Sequence, residues 1–404
     1  MHYLIIGNGI AGVSAAESIR VLDPEGNITM IADETSGPYC RPMISLVLEG
    51  SVHHDELPIR SESFYDDLKI KSYLGQRVTD IDIDDKSVST QDGRTFHFDK
   101  LLIATGADPK PIDGKGLDLK NIFFMRTQAH VQQMLEILPH SKRALVLGGG
   151  LVGFKASYGL LRRGLDVTMA ISSGYPLSMQ VDTEAGNMIL DELVDHGLKV
   201  KVGVDAVSFE GQEKLVRAHL SDGTEVPCDM VVIGKGVTPS ISFVPNNIIK
   251  VDVGILVNQF METNVSGVFA AGDVAETFDV ARQSRWINAI WPEAVFQGRI
   301  AGMNMAGRPV SYGGSVGRNI IRIFDVDVMA GGLINPPDAS EYKTICFSNP
   351  STKIYRKLVF HENLLVGVIV VNEIEQGGVL ISLMQNQTPI RIPKEAMLEP
   401  SFNY

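Results

Sequence analysis

The stretch Tyr3-Leu-Ile-Ile-Gly-Asn-Gly-Ile-Ala-Gly12 decides how this chain is read. An apolar run, Tyr3 to Ile6, enters a turn carrying Gly7, Gly9 and Gly12 in G-x-G-x-x-G spacing, and an Ala/Ser-rich helical stretch from Val13 to Val21 follows. In this pattern the first glycine allows a tight turn, the second lets backbone approach a pyrophosphate, and the third lets helix and strand pack closely. The free N–H groups at the helix N-terminus then receive the diphosphate. Glycines also mark ordinary βα turns, so the spacing alone is a weak signal. Here Asp33 and Glu34 stand about 20 residues further on, where a ribose hydroxyl needs an acceptor. A bound dinucleotide is the expectation.

A second copy of the pattern lies 141 residues later. Ala144-Leu-Val-Leu runs into Gly148, Gly150 and Gly153, a helical stretch continues to Arg163, and another strand spans Val167 to Ile171. Two such units in strand–turn–helix context imply two dinucleotide sites, or one site and a decayed copy. Between them, alternation at Val78, Ser87 and Thr95 with Asp92-Gly93 at a turn predicts a small antiparallel set. Lys100 to Gly106 reads as a buried strand ending in a small-residue turn, and a Pro/Gly-rich linker from Asp108 to Gly116 marks a domain crossing. Residues 51–72 read as a helix and a loop. A helix is expected over Glu293 to Met305, and beyond Val310 the chain turns to short β-rich segments with a helix over Gly378 to Met384.

The chain of 404 residues has room for two or three domains, and 44% hydrophobic with 21% charged residues describes a globular protein with real cores. A net charge of −12 argues against general nucleic-acid or anionic-membrane binding. Three scattered cysteines, Cys40, Cys228 and Cys346, cannot alone hold an iron–sulfur cluster, which takes four thiolates. No C-x-x-C is present, and the histidines show no ligand spacing, so no metal site is expected. The first strand begins two residues after Met1 and the most apolar late run, Leu364 to Val371, is too short to span a bilayer. A cytoplasmic location without membrane insertion is the expectation.

Taken together, the motifs resemble the two-dinucleotide-binding-domain flavoproteins, the FAD-dependent, NAD(P)H-linked disulfide-reductase-like oxidoreductases. The rubredoxin, ferredoxin and nitrite-reductase-type reductases are the most similar subgroup. The resemblance rests on Gly7/Gly9/Gly12 with Asp33, Pro38-Tyr-Cys-Arg-Pro42, Ala104-Thr-Gly106, Gly148/Gly150/Gly153, Gly236-Val-Thr-Pro239, Ala271-Gly-Asp273 and Gln297-Gly-Arg. It implies an α/β fold with two Rossmann-like domains and a small C-terminal α+β domain. The implied divisions are 1–110 with 254–308 for FAD, 111–253 for NAD(P), and 309–404 for dimer or partner contacts. It further implies that Gly7, Gly9 and Gly12 hold the FAD pyrophosphate and that Asp33 or Glu34 holds the adenosine ribose. Arg41 and Pro42 would lie beside the flavin. Ala104, Thr105 and Gly106 belong to the same motif set, as does Gly236 in the second domain. Asp273, next to Gly272, would accept from a ribityl hydroxyl. The helix end near Ala294 to Gln297 would face the pyrimidine edge of the flavin, where the reduced form carries negative charge.

Three departures from that family bear on function. Where many relatives carry a lysine and a glutamate that pair near the flavin, this chain has Leu46 and Lys155, so Lys155 is the candidate for catalytic electrostatics at the flavin. The strand after the second fingerprint ends Ala170-Ile171-Ser172-Ser173, with neither the acidic residue of NADH-specific relatives nor a basic one for a 2′-phosphate; the lack of a cation favours NAD over NADP. Cys40 lies next to Arg41-Pro42 and is read as a small packed side chain in preference to a redox thiol, with Cys228 and Cys346 read as core. Arg282 and Arg285, beside Trp286, are a candidate docking patch for an acidic electron carrier. The expected function is an FAD-dependent NAD(P)H oxidoreductase exchanging electrons with a separate redox protein or enzyme subunit, as a homo- or hetero-oligomer. Two alternatives stand beside it: a self-contained NADH oxidase or disulfide reductase working through Cys40, and a flavin-binding scaffold subunit with a decayed nicotinamide site.

Overall fold

Strand His2–Ile6 pairs in parallel on both sides, with Asn27–Ala32 and with Lys100–Ile103. A strand covered on both faces reads as a continuous apolar run, and Leu4, Ile5, Leu101 and Leu102 are fully buried. The structure, a computed structural model, describes residues 1–399, 401 and 402. Its helices in chain order are α1 (Ile10–Leu22), α2 (Ile44–Glu49), α3 (Phe64–Asp67), α4 (Gln128–Ile137), α5 (Leu151–Arg162), α6 (Thr183–Asp195), α7 (Trp291–Met305) and α8 (Gly377–Gln385).

Residues 1–40, 55–108 and 238–317 form one compact unit, and residues 41–54, 109–237 and 318–404 form another. The first unit holds a parallel sheet in the order Val268–Ala270, Lys100–Ile103, His2–Ile6, Asn27–Ala32, Ile70–Leu74. The second unit repeats the plan in the order Lys199–Val202, Asp166–Ile171, Arg143–Leu147, Met230–Ile233, Ile122–Phe124. In each, the strand feeding the glycine turn is central, the strand after the helix lies beside it, and a strand following an inserted antiparallel three-stranded sheet flanks the other side. Only the outermost strand beyond that one differs in origin: it comes late in the chain in the first unit and early in the second.

The second unit also carries an antiparallel sheet in the order Arg318–Ile323, Val326–Gly332, Leu364–Val371, Ile354–His361, Tyr342–Asn349. Leu364–Val371 is its central strand, which accounts for the apolar run there, and α8 packs against it. The α/β architecture with two Rossmann-type sheets and a C-terminal antiparallel sheet is therefore the one expected. Two local readings need correction. Residues 51–72 contain the short α3 and the start of the edge strand Ile70–Leu74, whose polar Lys71 and Ser72 face solvent and hide the β pattern. Cys346 is exposed on the edge strand Tyr342–Asn349 and is not a core residue. Among the described residues no helix is long and apolar enough to cross a membrane.

Candidate functional site

The two glycine turns are built alike, bond for bond. The Gly7 N–H donates to the Ile31 carbonyl at 2.7 Å and the Ala104 N–H to the Ile6 carbonyl at 2.8 Å. In the second copy the Gly148 N–H donates to the Ala170 carbonyl and the Gly234 N–H to the Leu147 carbonyl, both at 2.8 Å. Gly7 and Gly148 take φ of 109° and 108°, a region open to glycine and closed to most side chains. A Cβ on Gly7 would lie 2.2 Å from the Ala104 oxygen, and one on Gly148 2.5 Å from the Gly234 oxygen. A Cβ on Gly12 or Gly153 would lie 2.1 or 1.9 Å from the carbonyl oxygen of Gly7 or Gly148. At Gly9 and Gly150, in contrast, nothing lies within 4 Å.

Those open second glycines are the N-caps of α1 and α5. Of the helices longer than nine residues, α4 and α6 are capped by the side chains of Thr127 and Asp182. Among the described residues no side chain caps α1, α5 or α7. The leading N–H groups of a helix need partners, and here they face the open side of a glycine turn, an arrangement that accepts an anion. Both turns thus fit the diphosphate of a dinucleotide. Gly234 is a site residue that the sequence reading passed over for Gly236; its signal is that it ends Met230–Ile233 as Ala104 ends Lys100–Ile103. Gly236 itself accepts from the Lys110 N–H at 3.0 Å, with φ 93°.

In the first unit α7 lies along α1. Gly272 sits between Ala11 and Ala294, Gly298 rests on Ala11, and Gly302 on Ala15, where an added Cβ would come within 2.2 and 2.4 Å of backbone oxygen. Contacts that advance in the same direction along both helices mean that the N-termini share one end. Two positive dipole ends therefore flank Gly272 and Asp273. The Gly272 N–H donates to Gln297 Oε1 at 2.8 Å. Thr105 Oγ1 donates to the Ser240 carbonyl at 2.8 Å, and Gly106 accepts from the Ser240 N–H, so the returning chain is stitched to this turn. Just past Asn27–Ala32, Glu34 accepts from the Tyr39 hydroxyl at 2.7 Å, while Asp33 is exposed and paired with Arg77 at 3.1 Å.

The second unit contains Gly148, Gly150, Gly153, Gly236, Arg41, Pro42 and Lys155. Arg41 donates to the Arg126 carbonyl at 2.9 Å. Lys155 is half-buried in the first turns of α5. Past Asp166–Ile171, Ser172 is exposed and Ser173 donates to the Tyr175 carbonyl at 2.8 Å. Burial pushes the Cys228 thiol up to about 12, with Asp229 adding to it, so this cysteine stays protonated and inert.

One trio among the described residues has metal-ligand chemistry: Glu192, His196 and Asp325. Glu192 already receives Lys353 Nζ at 2.5 Å and the Asp325 N–H at 2.8 Å. An ammonium on the buried carboxylate makes this an ion-pair knot. His53 and His54 are exposed.

Comparison with known proteins agrees with this geometry. Residues 1–298 match the family described as pyridine nucleotide-disulphide oxidoreductase, and residues 318–388 match the rubredoxin NAD+ reductase C-terminal domain. The chain is 30% identical over 399 residues to the assimilatory nitrate reductase electron transfer subunit of Bacillus subtilis, covering 98% of this chain and 51% of that protein. It is 29% identical over 390 residues to the NADH-dependent phenylglyoxylate dehydrogenase subunit epsilon of Aromatoleum evansii, covering 96% of this chain and 92% of that one. The chain spans about half the length of the first two curated relatives it matches. An NAD-dependent persulfide reductase from A. fulgidus has the same fold, with TM-score 0.91 at 23% identity over 100% of this chain and 80% of its own. The glycine cradles, the paired helix ends and these matches lead to one conclusion: the chain belongs to the pyridine nucleotide-disulphide oxidoreductase family, flavoproteins that bind FAD and NAD(P)H.

Proposed function

We propose that the chain is an FAD-dependent NAD(P)H oxidoreductase that takes hydride from the nicotinamide and hands electrons on to a separate redox protein or enzyme subunit. The observation that carries this reading is the matched pair of glycine cradles, each with an open second glycine and a helix N-terminus without a side-chain cap. A decayed second site would be expected to lose this geometry first, so the scaffold reading is disfavoured. The relatives' names, an electron transfer subunit and an NADH-dependent subunit, fit a component of a larger redox system.

A flavin held at the first cradle would supply conversion between two-electron hydride transfer and single-electron release, which nicotinamide cannot perform. The protein's own share is binding, orientation and charge. Gly9 and Gly150 admit the two diphosphates, and Glu34, aimed by Tyr39, accepts from the adenosine ribose of FAD. Gly272 and Asp273 present the ribityl contact, and the N-terminus of α7 supports negative charge at the pyrimidine edge. Lys155 acts as a half-buried cation that favours the anionic reduced flavin. Ser172 leaves the NAD(P) ribose without a fixed charge, and NADH is the expected donor.

Anaerobic mixing of the flavin-loaded protein with NADH and then NADPH tests the reading. Rapid bleaching of the flavin by NADH is expected, and bleaching by neither nucleotide would reject it. Cys40→Ser should keep full turnover with a one-electron acceptor. Lys155→Met should lower the flavin midpoint potential, and an unchanged potential would remove Lys155 from the mechanism.

A further inference from the structure

Just past Met230–Ile233 the chain carries a lysine whose side chain bridges two points on the carboxyl edge of the second parallel sheet. One point is the glycine turn: a Cβ on Gly148 would lie 2.5 Å from the Gly234 oxygen and 3.3 Å from the Lys235 nitrogen. From there Lys235 Nζ forms an ion pair with Asp205 Oδ2. Asp205 belongs to the loop after Lys199–Val202, and that loop is fastened to the end of Asp166–Ile171. The Gly203 N–H donates to the Ser173 carbonyl and the Val204 N–H to the Ile171 carbonyl, both at 3.1 Å. All of these residues lie in the second unit.

The ends of this bridge match the ends of the adenosine half of a dinucleotide. On such a cradle the diphosphate lies at the N-terminus of α5, and the adenosine ribose lies at the end of the next strand, here Ser172 and Ser173. Lys235 starts beside the first and Asp205 is anchored beside the second. Asp205 is also placed independently of the lysine. Its Oδ1 accepts from the Ala206 N–H at 2.9 Å, its N–H donates to the Ser221 hydroxyl at 3.1 Å, and its carbonyl accepts from the Ser221 N–H at 2.8 Å. The Lys235 and Asp205 side chains are 19% and 40% exposed, so a ligand can reach both. A pair open to water contributes little to stability, which leaves its position as the property to explain.

We infer that Asp205, by holding Lys235, sets the preference of the second cradle for NADH over NADPH. This rests on the dinucleotide reading above. Discrimination between the two needs an acceptor for a ribose hydroxyl or a cation for a 2′-phosphate. The strand end supplies only serines, so the charges come from the next loop and from the turn after Met230–Ile233. A 2′-phosphate, with a charge of about −1.5 to −2, would meet the Asp205 carboxylate and find Lys235 already paired. A ribose with a free hydroxyl meets neither obstacle.

Calorimetric titration of the flavin-loaded protein with NAD+ and with NADP+ tests this, since the oxidised nucleotides bind without transferring hydride. Wild type should bind NAD+ more tightly. Asp205→Asn keeps an oxygen for the Ala206 N–H and frees Lys235, so affinity for NADP+ relative to NAD+ should rise several-fold. Lys235→Met leaves the carboxylate unpaired, and the same ratio should fall several-fold. Lys235→Arg keeps the pair and should hold the wild-type ratio. A pair that merely fastens the loop would move the melting temperature and both affinities together. An affinity ratio unmoved in both Asp205→Asn and Lys235→Met therefore overturns the inference and leaves the dinucleotide reading standing. A wild-type preference for NADP+ overturns it as well, and wild-type protein that binds neither nucleotide overturns both.

Discussion

Gly9 and Gly12 differ by three positions and by everything that surrounds them. A side chain at Gly9 or Gly150 meets open space on extended backbone, while one at Gly12 or Gly153 drives into a carbonyl oxygen. The four positions therefore separate binding from folding. Gly150→Ala should change stability by less than about 1 kcal/mol, since only an N-cap preference is lost, yet weaken nicotinamide dinucleotide binding by filling the diphosphate's approach. Gly153→Ala should destabilise by about 1–3 kcal/mol or more, because helix and turn must separate to admit the methyl group. Thermal melts paired with nucleotide titrations of the two variants check this, and equal effects on both readouts would contradict the assignment. The glycine spacing made these positions legible from sequence. The Tyr39 bond to Glu34 was not legible, because the turn between them, Thr35 to Pro38, sets where the hydroxyl lands.

Helix α6 is where the C-terminal sheet is fastened within the second unit. At its start Asp182 caps the helix and also receives the Tyr355 hydroxyl at 2.6 Å and Lys357 Nζ at 3.0 Å. At its end Glu192 binds Lys353 and the Asp325 amide, and His196 stacks on Phe324 with ring centroids 4.1 Å apart. Burial pushes the Glu192 carboxyl up, but the bonds from Lys353 and Asp325 together outweigh it and hold it below its usual range. The bond to Glu192 raises Lys353 above its usual range. A depressed carboxyl contributes stability that is complete above its unfolded value near 4.5 and is lost as pH falls through the folded value. A raised lysine contributes fully below 10.5 and loses its share as pH rises past that. Glu192→Gln should therefore cost about 1.5 kcal/mol at pH 7, toward the low end for a charged hydrogen bond because water reaches Lys353. The deficit should shrink as pH falls through the folded value of the carboxyl, which denaturant titrations stepped downward from pH 7 would reveal. The local elements of this region, α6 and Lys199–Val202 among them, follow from periodicity and capping residues in the sequence. Their fastening to residues 325, 353 and 355 does not, since long-range polar pairs leave no local pattern.

At the scale of the whole molecule, a chain of net charge −12 repels acidic carriers in general, so any productive encounter has to be local. The hairpin formed by Ala275–Asp279 and Ser284–Trp286 in the first unit supplies such a place. Arg282 stacks over the exposed Trp286 ring at 4.4 Å, and Arg285 donates to the Val257 carbonyl at 2.8 Å. Both guanidinium groups are thus held before any partner arrives, which lowers the ordering cost of association. Arg285 is anchored to backbone, so charge reversal there would disturb the hairpin as well as the surface; Arg282→Gln with Arg285→Lys tests charge and geometry more cleanly. With a small acidic iron–sulfur carrier as acceptor, the pair of changes should raise KM several-fold at low ionic strength with little change in kcat. The difference should shrink as salt rises past about 0.15 M, where the Debye length falls to about 8 Å. Reduction of the flavin by NADH, which involves no carrier, should be unaffected in the same variant. A fall in that half-reaction would place the arginines in the nucleotide chemistry, and a KM that does not respond to salt would show that the carrier docks elsewhere.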